Sequence, residues 1–527
     1  MNFNKLRSES KRKYMKKMGG WYALKKDDNR AISCFCQAEY YDGIYKLLSE
    51  SGIWYYTDED ISMLIRSYKI CRPENTVMYF KGMLTLASKM YFHNEYDNYY
   101  EILSYLVCFL NSEQCMDKTE KDMLWAEYEI IQCLSDYDNS DDDNMEVIKK
   151  HINHACELCP EGEKITHRFD WLFGCPSVLL LYYHQSGFLK QFSEEFTCSL
   201  EQYGRLTQYD ATGMVYFLKA EIKFYGCLFD DAEILLYCAF RLAKKNNEYS
   251  LWVACCFLKA RILIFRGNPD KAFEIMRESS DYVSKKGLPR LIKTVDICMA
   301  WLHLILGQPE SVANWLCDFE EAERLLPMQV VLTIRLVDGA WLISSQFYTE
   351  YISYYLDNNR RNVNCTNVIS MVYQKLCLAV AYSKINRMDE AIVCYGEAVE
   401  IAQADELYLP FVEFAAGLAD VMDRITNERY IKFIKAVKEN FRTIQYALSP
   451  ALLQKTIQDG NVLTKREGEI ALLVQNGLKN KEIAEQLFIS DNTVKSALKS
   501  IFKKLDVSSR KELQLKPPEK TTRLATR

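Results

Sequence analysis

The chain has 527 residues, which is too long for a single compact core and predicts several domain-sized units or a repeat array. Its apolar and charged fractions, 49% and 26%, are ordinary for a soluble protein, and no apolar run reaches the roughly 18 residues that a membrane helix needs. The basic N-terminus has no apolar h-region, which argues against a secretory signal. The 19 cysteines are therefore predicted to be reduced thiols of a cytoplasmic protein without a membrane partner.

Apolar residues at helical spacing over 19–52 predict paired short helices near the N-terminus. The segment 135–144, which reads SDYDNSDDDN, is predicted to be a loop. From Asp136 onward it is similar to a calcium-binding loop, but Asp141 stands where that loop needs Gly and Val147 where it needs Glu. The pattern favours a solvated acidic loop over a calcium site.

Four side chains of types that bind zinc lie close together: His151, His154, Cys156 and Cys159. A zinc or redox cluster is one interpretation. In a helix, however, the histidine pair and the cysteine pair would point in directions about 140° apart, and a second ligand pair at the usual spacing is absent. Ordinary helix packing is therefore favoured, and no metal site is predicted.

A repeat of about 40 residues follows and determines the predicted fold. One Ala per unit marks the first helix of a hairpin, at steps of 40, 40, 40 and 39 residues, and this small side chain lets two helices approach closely. Acidic residues open most of the second helices, where the helix dipole favours them, at 230–232, 270–272, 310–312 and 389–391. The markers are Ala220, Ala260, Ala300, Ala340 and Ala379, with Gly187, Gly226, Gly267 and Gly307 on the same period.

These hairpins predict an α-solenoid over residues 1–448, with a concave surface suited to binding a ligand or a partner protein. Its last unit, 378–402, resembles a tetratricopeptide repeat, although the 40-residue period is longer than that family's. A pure spacer is the alternative interpretation. The helical run 441–448 is predicted to end the solenoid, and Ser449-Pro450 is the predicted hinge of a linker over 449–462.

Residues 463–515 are predicted to form a separate small domain. Three apolar stripes at helical spacing, the last one starting at Val494, predict three helices. Gly477 ends the first helix, and Asn480 and Ser490 are predicted to cap the second and the third. Only a few residues separate the last two helices, which is the layout of a helix-turn-helix whose second helix enters the major groove of DNA.

The third helix carries Lys495, Lys499, Lys503 and Lys504. Lys495 and Lys499 are four apart and project from one face, about a third of a turn from the apolar stripe. A row of lysines on a helix is usually just a solvated face. Because this row lies on the second helix of a capped helix-turn-helix, a DNA-binding face is favoured instead. Residues 456–527 carry 14 basic and 9 acidic side chains, a net charge of +5 that leaves −10 for the rest, and this suits DNA contact at the C-terminus.

About fifty residues of this domain carry a family pattern, namely Leu463, Thr464, Arg466, Glu467, Glu469, Gly477, Asn480, Lys481, Glu482, Ile483, Ala484, Leu487, Ile489, Ser490, Thr493, Val494, Lys495, Ile501, Lys504, Leu505, Val507 and Arg510. By these residues the domain is similar to the LuxR-type DNA-binding domain. The resemblance implies a compact four-helix fold whose third helix contacts bases through Lys495, Ser496 and Lys499. It implies phosphate contacts by Thr493 and the Asn480-Lys481 turn, and Lys503 is predicted to add to the DNA-binding face.

The sequence departs from that family at two places. Ala497 stands where many members have His, so any contact made by that ring is lost. In the family the fourth helix often pairs two copies, but here it starts near Ser508 and has room for about two turns before Pro517-Pro518. A homodimer through this helix stays an open alternative. The basic residues 516–527 are predicted to be disordered.

A solenoid followed by such a domain resembles the C-terminal part of the large ATP-dependent, MalT-like regulators, whose solenoids sense an inducer. Residues 21–48 are similar to the region just after their nucleotide-binding module. The module itself is not found, because GLPRLIKT at 287–294 has Ile292 where a phosphate loop needs its second Gly. No cofactor is predicted, no nucleophile–base motif indicates an enzyme, and a separate protein could supply the nucleotide switch.

Together these features predict an all-α, cytoplasmic transcription regulator that binds double-stranded promoter DNA. The resemblance implies activation through contact with RNA polymerase, under the control of an unidentified inducer or partner protein on the solenoid. The alternative is an interaction scaffold whose DNA-binding domain is vestigial. Replacing Lys495 and Lys499 by Ala would separate the two, since only a regulator would lose operator binding.

Overall fold

The structure is a computed structural model. It describes residues 8–25, 27–51, 61–70, 76–112, 117–139, 144–160, 170–207, 209–316, 318–326, 328–356 and 367–458, and in the C-terminal part residues 470, 471, 473–475, 477–487, 490–504, 509, 510 and 513.

The described residues are largely α-helical, and no strand is found among them. This confirms the predicted all-α class. In chain order the helices are α1 (Ser8–Leu24), α2 (Asp28–Gln37), α3 (Tyr41–Ser51), α4 (Ile61–Ile70), α5 (Thr76–Phe92), α6 (Tyr96–Asn111), α7 (Lys118–Asn139), α8 (Asn144–Leu158), α9 (Val178–Tyr182), α10 (Leu189–Thr207), α11 (Thr212–Tyr225), α12 (Phe229–Asn246), α13 (Tyr249–Phe265), α14 (Pro269–Lys285), α15 (Pro289–Ile305), α16 (Phe319–Leu325), α17 (Met328–Ser344), α18 (Tyr348–Leu356), α19 (Val368–Lys384), α20 (Met388–Ala402), α21 (Leu409–Phe414), α22 (Ala419–Arg424), α23 (Glu428–Gln458), α24 (Asn480–Gln486) and α25 (Asp491–Lys504).

The predicted hairpin repeat is confirmed for α11–α20, where α11, α13, α15, α17 and α19 are the first helices. Their marker alanines are buried except in α17, where Ala340 is only partly buried. There the close approach is made by Gly339, because a Cβ atom on it would lie 2.9 Å from the ring of Tyr351. In this unit the small residue at the helix crossing is therefore Gly339, one position before the marker Ala340.

Each turn between the two helices of a hairpin contains one residue with left-handed backbone, which ends the first helix. The N–H of the next residue bonds to the carbonyl five positions back, for example Leu228 N to Lys223 O at 2.9 Å, as in a Schellman motif. In the first hairpin the left-handed residue is Cys227, which directly follows the periodic Gly226. The set recurs at the repeat period and comprises Gly187, Cys227, Gly267, Gly307, Gln346 and Asn386.

The third hairpin differs from the prediction. A second helix was expected to open at 310–312, but the chain forms two short 3₁₀ turns, Pro309–Ser311 and Asn314–Leu316, before α16 begins. Trp315 turns back to the preceding helix, where its indole N–H donates to Asp296 Oδ2 at 2.9 Å. Asp318 then caps α16 by accepting from Glu321 N.

The predicted acidic loop is partly helical, whereas the histidine-bearing segment lies on a helix, α8, as the sequence analysis favoured. α7 continues through Asn139, so the first half of the predicted acidic loop is helical, and residues 140–143 lie outside the described residues. His151 Nδ1 and His154 Nδ1 lie 2.5 and 2.8 Å from the two carboxylate oxygens of Glu129 on α7. Burial tends to raise the pKa of Glu129, but the two histidine contacts outweigh it and lower that pKa. Among the described residues, no group of three or more His, Cys, Asp or Glu is placed to hold a metal ion.

The core contains a segment that the sequence analysis did not single out. Residues 170–183, called the inner segment below, connect α8 to α10 and include the short α9. Every apolar side chain in it is buried, among them Trp171, Phe173, Tyr182 and Tyr183. Trp171 makes edge-to-face contacts with Phe196 and Tyr203 of α10, at ring-centroid distances of 5.6 and 5.3 Å.

The chain divides into two compact units. One contains the described residues up to Lys259 together with Ile275–Phe433, and the other contains Ala260–Glu274 together with the described residues from Ile434 onward. α23 runs through Ser449 and Pro450, so the predicted linker begins as helix. The domain boundaries remain a prediction. Within the described part of the chain, none of the helices has the length and apolar character of a membrane span.

Two carboxyl groups at the start of the repeat array are held in surroundings that oppose ionisation. Burial raises the pKa of Glu248 to about 8, hydrogen bonds from Tyr209 and Asn246 act against it, and the charge of Asp170 adds to the rise. Burial also raises the pKa of Asp170 to about 6, although Ser250 Oγ donates to Asp170 Oδ2 at 2.7 Å. Both groups therefore keep a proton to a higher pH in the folded protein than in the unfolded chain.

We expect the free energy of unfolding to fall between about pH 5 and pH 8, and to fall less in Glu248→Gln. In this window the folded state keeps a proton that an unfolded Glu, with a pKa of about 4.3, has released, so stability is lost with a slope of up to about 1.4 kcal/mol per pH unit. Urea denaturation at several pH values measures this. Glu201→Gln, at an exposed position on α10, is the control. Equal slopes in wild type and Glu248→Gln would contradict the assignment.

Candidate nucleic-acid interface

The C-terminal helices enclose a small apolar core of their own. Its buried members come from the helical residues near 470–475, from α24 and α25, and from Leu513. The three predicted apolar stripes are thus brought together, while Leu505 lies outside the described residues. The core residues are Ile470, Ala471, Leu473, Val474, Ile483, Ala484, Val494, Leu498, Ile501 and Leu513.

Gly477 ends the first helix of this domain, as predicted. Its φ is +83°, in the region that favours glycine, and the N–H of Leu478 bonds to Leu473 O at 3.1 Å. The turn leads within two residues to the start of α24. The sharp stop therefore sets the direction of α24, the helix that precedes α25.

The start of α24 is held differently from the prediction, which assigned the cap to Asn480. Glu482 Oε2 accepts the backbone N–H of Lys479 at 2.6 Å, which is the glutamate half of a capping box. The side chain of Asn480 instead accepts a 2.7 Å bond from Arg510 Nη1, and Arg510 Nη2 donates to the carbonyl of Leu478. Arg510 was noted only as a family match, and its role in positioning this turn depends on tertiary contacts.

Ser490 caps α25, as predicted. Its Oγ accepts the backbone N–H of Thr493 at 3.1 Å and lies 2.8 Å from Thr493 Oγ1. This cap fixes the N-terminal turn of the helix, which is the end that a recognition helix points toward bases and phosphates.

The outward face of α25 carries the predicted base-reading residues. Lys495, Ser496 and Lys499 are exposed, and Thr493 is exposed one turn earlier. Val494 and Leu498, between them in sequence, are buried in the apolar core, so α25 presents its polar face to solvent. On α24, Lys481 is exposed and Asn480 is partly buried. The backbone of Lys503 belongs to α25, and its side chain lies outside the described part of the structure.

This geometry can bind a polyanion. Two lysines four positions apart on one helix face reach the same stretch of phosphates or base edges, and a hydroxyl lies between them. In double-stranded DNA, lysine can donate to the O6 and N7 acceptors of guanine in the major groove, and serine can contact any base.

Comparison with known proteins agrees with both parts of this architecture. The family model of bacterial regulatory proteins, luxR family, matches residues 461–516, and the tetratricopeptide repeat model matches residues 378–405. The HTH-type transcriptional regulator MalT of Vibrio campbellii is 21% identical over 318 residues, which are 56% of this chain and 34% of that protein. This chain thus spans about a third of the length of the MalT relatives.

Two shorter relatives match a smaller part of the chain. The transcriptional regulatory protein LiaR of Bacillus subtilis is 56% identical over 48 residues, covering 9% of this chain and 23% of LiaR. The oxygen regulatory protein NreC of Staphylococcus carnosus is 32% identical over 120 residues, covering 21% of this chain and 55% of NreC. The chain is therefore a helical-repeat protein that carries a helix-turn-helix domain of the LuxR type at its C-terminal end.

Proposed function

We propose that this protein is a transcription regulator that binds double-stranded promoter DNA through α25, under the control of a ligand or partner protein received by its helical repeats. The observation that carries the proposal is the exposed set Lys495, Ser496 and Lys499 on a capped helix, backed by an apolar core. The relatives, all of which are named as regulators, support it.

Affinity and specificity come from different contacts in this proposal. Lysines near the groove neutralise phosphates and release counterions, which makes binding strongly salt-dependent. Thr493, Lys481 and Lys503 serve in phosphate contact. Lys495, Ser496 and Lys499 read base edges, and these direct contacts distinguish one sequence from another. The side chain of Asn480 already accepts a bond from Arg510, so its part is to hold the turn whose backbone approaches the phosphates.

The remaining parts of the proposal rest on resemblance to the family. They comprise activation of transcription through contact with RNA polymerase, action in the cytoplasm, and pairing of two copies of the domain on DNA. No catalytic step and no cofactor belong to the proposed function.

Selection of genomic fragments on the purified full-length protein tests this function. At about 150 mM salt, where non-specific binding is weak, wild type should enrich fragments that share a short site. The Lys495→Ala/Lys499→Ala variant should not enrich them. Enrichment of the same fragments by both proteins would refute the assignment to α25. Enrichment by neither, with and without cell extract as a source of inducer, would favour the scaffold in which the domain is vestigial.

A further inference from the structure

The first helix of five successive hairpins presents one buried polar side chain to the inner segment, residues 170–183. Each of the five is at most about 3% exposed. They follow one another along the array, one per hairpin, and each contacts the inner segment. They are Glu221 of α11, Ser250 of α13, Thr294 of α15, Thr333 of α17 and Asn367 at the N-terminus of α19.

Most of these contacts are made to the backbone of the inner segment. Glu221 Oε2 accepts the N–H groups of Val178 and Leu179, at 3.0 and 3.2 Å. Thr294 Oγ1 donates to the carbonyl of Gly174 at 2.9 Å. These are groups that every peptide carries, so the helices hold the segment in the way that a peptide-binding groove holds its ligand.

Asn367 makes the densest set of contacts. Its Nδ2 donates to the carbonyls of Leu179, Leu180 and Tyr183, at 2.8, 3.0 and 3.1 Å. Its Oδ1 accepts the N–H of Ser370, which caps α19. The same side chain therefore starts a helix of the array and ends α9.

The remaining two contacts are made to side chains. Ser250 donates to Asp170 at 2.7 Å, and Thr333 Oγ1 lies 3.6 Å from the thiol sulfur of Cys175. From α13 to α19 the partners follow the order of the helices, at residues 170, 174, 175 and 179–183, and only the contacts of Glu221 on α11 depart from it. If the segment left, each of the five polar groups would lose this partner, and water would have to enter the face to satisfy it.

The far end of the inner segment is tied to the last hairpin. Tyr183 OH donates to Asp405, which follows α20, and Asp405 also accepts the N–H of Gly187 at 2.6 Å and that of Leu189 at 3.1 Å. The N–H of Val368 donates to Tyr183 O at 3.0 Å. Residues from the beginning and the end of the repeat array are therefore joined through the segment.

We propose that the inner face of the repeat array is a peptide-binding groove whose permanent occupant is the chain's own inner segment. The groove holds the segment through five polar side chains, three of which bind its backbone, and through the apolar side chains around them. Because the occupant buries Trp171, Tyr182 and Tyr183 as well as its backbone, its departure would expose a large apolar surface. An external peptide or small molecule is therefore excluded from this groove, and any ligand of the array binds to another surface.

Hydrogen–deuterium exchange of the full-length protein, followed by mass spectrometry, tests this inference. If the occupant is permanent, the backbone N–H groups of 178–183 should exchange as slowly as those in the middle of α11 and α19, because all of them need the same opening of the array. Exchange about a hundredfold or more faster in 178–183 than in those helices would show a strap that detaches, and would overturn the proposal.

A variant and its matched control test the role of Asn367. Asn367→Ala should accelerate exchange in 178–183 by roughly tenfold or more, since three hydrogen bonds to the segment are lost. Asn427→Ala removes another asparagine that accepts a backbone N–H near a helix start, that of Arg429, but at an exposed position. It should leave 178–183 unchanged. Equal exchange rates of 178–183 in the two variants would contradict the proposed groove. If Asn367→Ala fails to fold, the comparison of exchange in 178–183 with that in α11 and α19 of the wild type tests the proposal on its own.

Discussion

Replacing Lys495 and Lys499 by Ala together should lower affinity for the specific DNA site by about 10²–10⁴-fold and leave the fold intact. A well-placed contact to a base edge contributes roughly 1–3 kcal/mol of discrimination, and two are removed. Both side chains are exposed on the middle turns of α25, and Ala is the better helix former, so the domain should fold as before. Fluorescence anisotropy on a selected fragment measures the affinity.

The salt dependence of the same measurement separates base contact from phosphate contact. Each lysine that binds a phosphate contributes about −0.9 to the slope of log affinity against log salt concentration. If both lysines read bases, the double variant should lose specificity while its slope stays near that of wild type. If they bind phosphates, the slope should become shallower by roughly 2 and the loss should be similar on every sequence.

A matched pair of lysines on α1 serves as the control. Lys13 and Lys17 are also four positions apart and exposed on a helix, but they belong to the other compact unit. Lys13→Ala/Lys17→Ala changes the net charge by the same amount and should keep the specific affinity within about threefold of wild type. Equal losses in the two double variants would mean that net charge, rather than α25, governs binding.

The parts of this molecule that could be predicted from its sequence are those determined by local pattern. The 40-residue spacing of small residues predicts the hairpins because a helix crossing needs a small side chain once per unit. The cap at Ser490 and the stop at Gly477 are likewise local, since each involves groups at most five residues apart. The exposed face of α25 follows from helical period alone.

The predictions that did not hold involve residues brought together from distant parts of the chain. Asn480 has the right position for a cap, but Arg510, thirty residues later, occupies its side chain. The predicted second helix of the third hairpin begins with Pro309 and Glu310, much as α14 begins with Pro269 and Asp270, but Trp315 binds Asp296 and the helix is delayed.

The inner segment was missed because its pattern fits no regular element. It reads as a short apolar run interrupted by Gly174 and Pro176, which could be a buried strand or a piece of helix. The five polar side chains that hold it lie 42 to 188 residues away in sequence, from Glu221 at Leu179 to Asn367 at the same residue. A repeat array is expected to contact only neighbouring units, whereas here one segment joins helices of five hairpins.

That arrangement predicts a large effect for a single truncation, Trp171→Ala. The side chain is buried against Phe196, Tyr203 and Tyr182, so its removal leaves a cavity as well as losing apolar burial. Truncations of this kind cost about 3–5 kcal/mol. The bond from Tyr182 OH to Trp171 O survives, since it uses the backbone carbonyl, and so the loss reports on the ring alone.

Trp21→Ala provides the comparison, because that ring is 55% exposed and packs mainly against its neighbour Tyr22. It should cost less than about 1 kcal/mol. Urea denaturation followed by far-ultraviolet circular dichroism measures both. If the inner segment links the hairpins into one cooperative structure, Trp171→Ala should move the whole transition of α10–α20 to lower urea without splitting it. Loss of stability confined to one part of the transition, or equal shifts for the two tryptophan variants, would contradict this. Either result would show that the hairpins are stable without the segment, as in an ordinary repeat array whose units depend only on their neighbours.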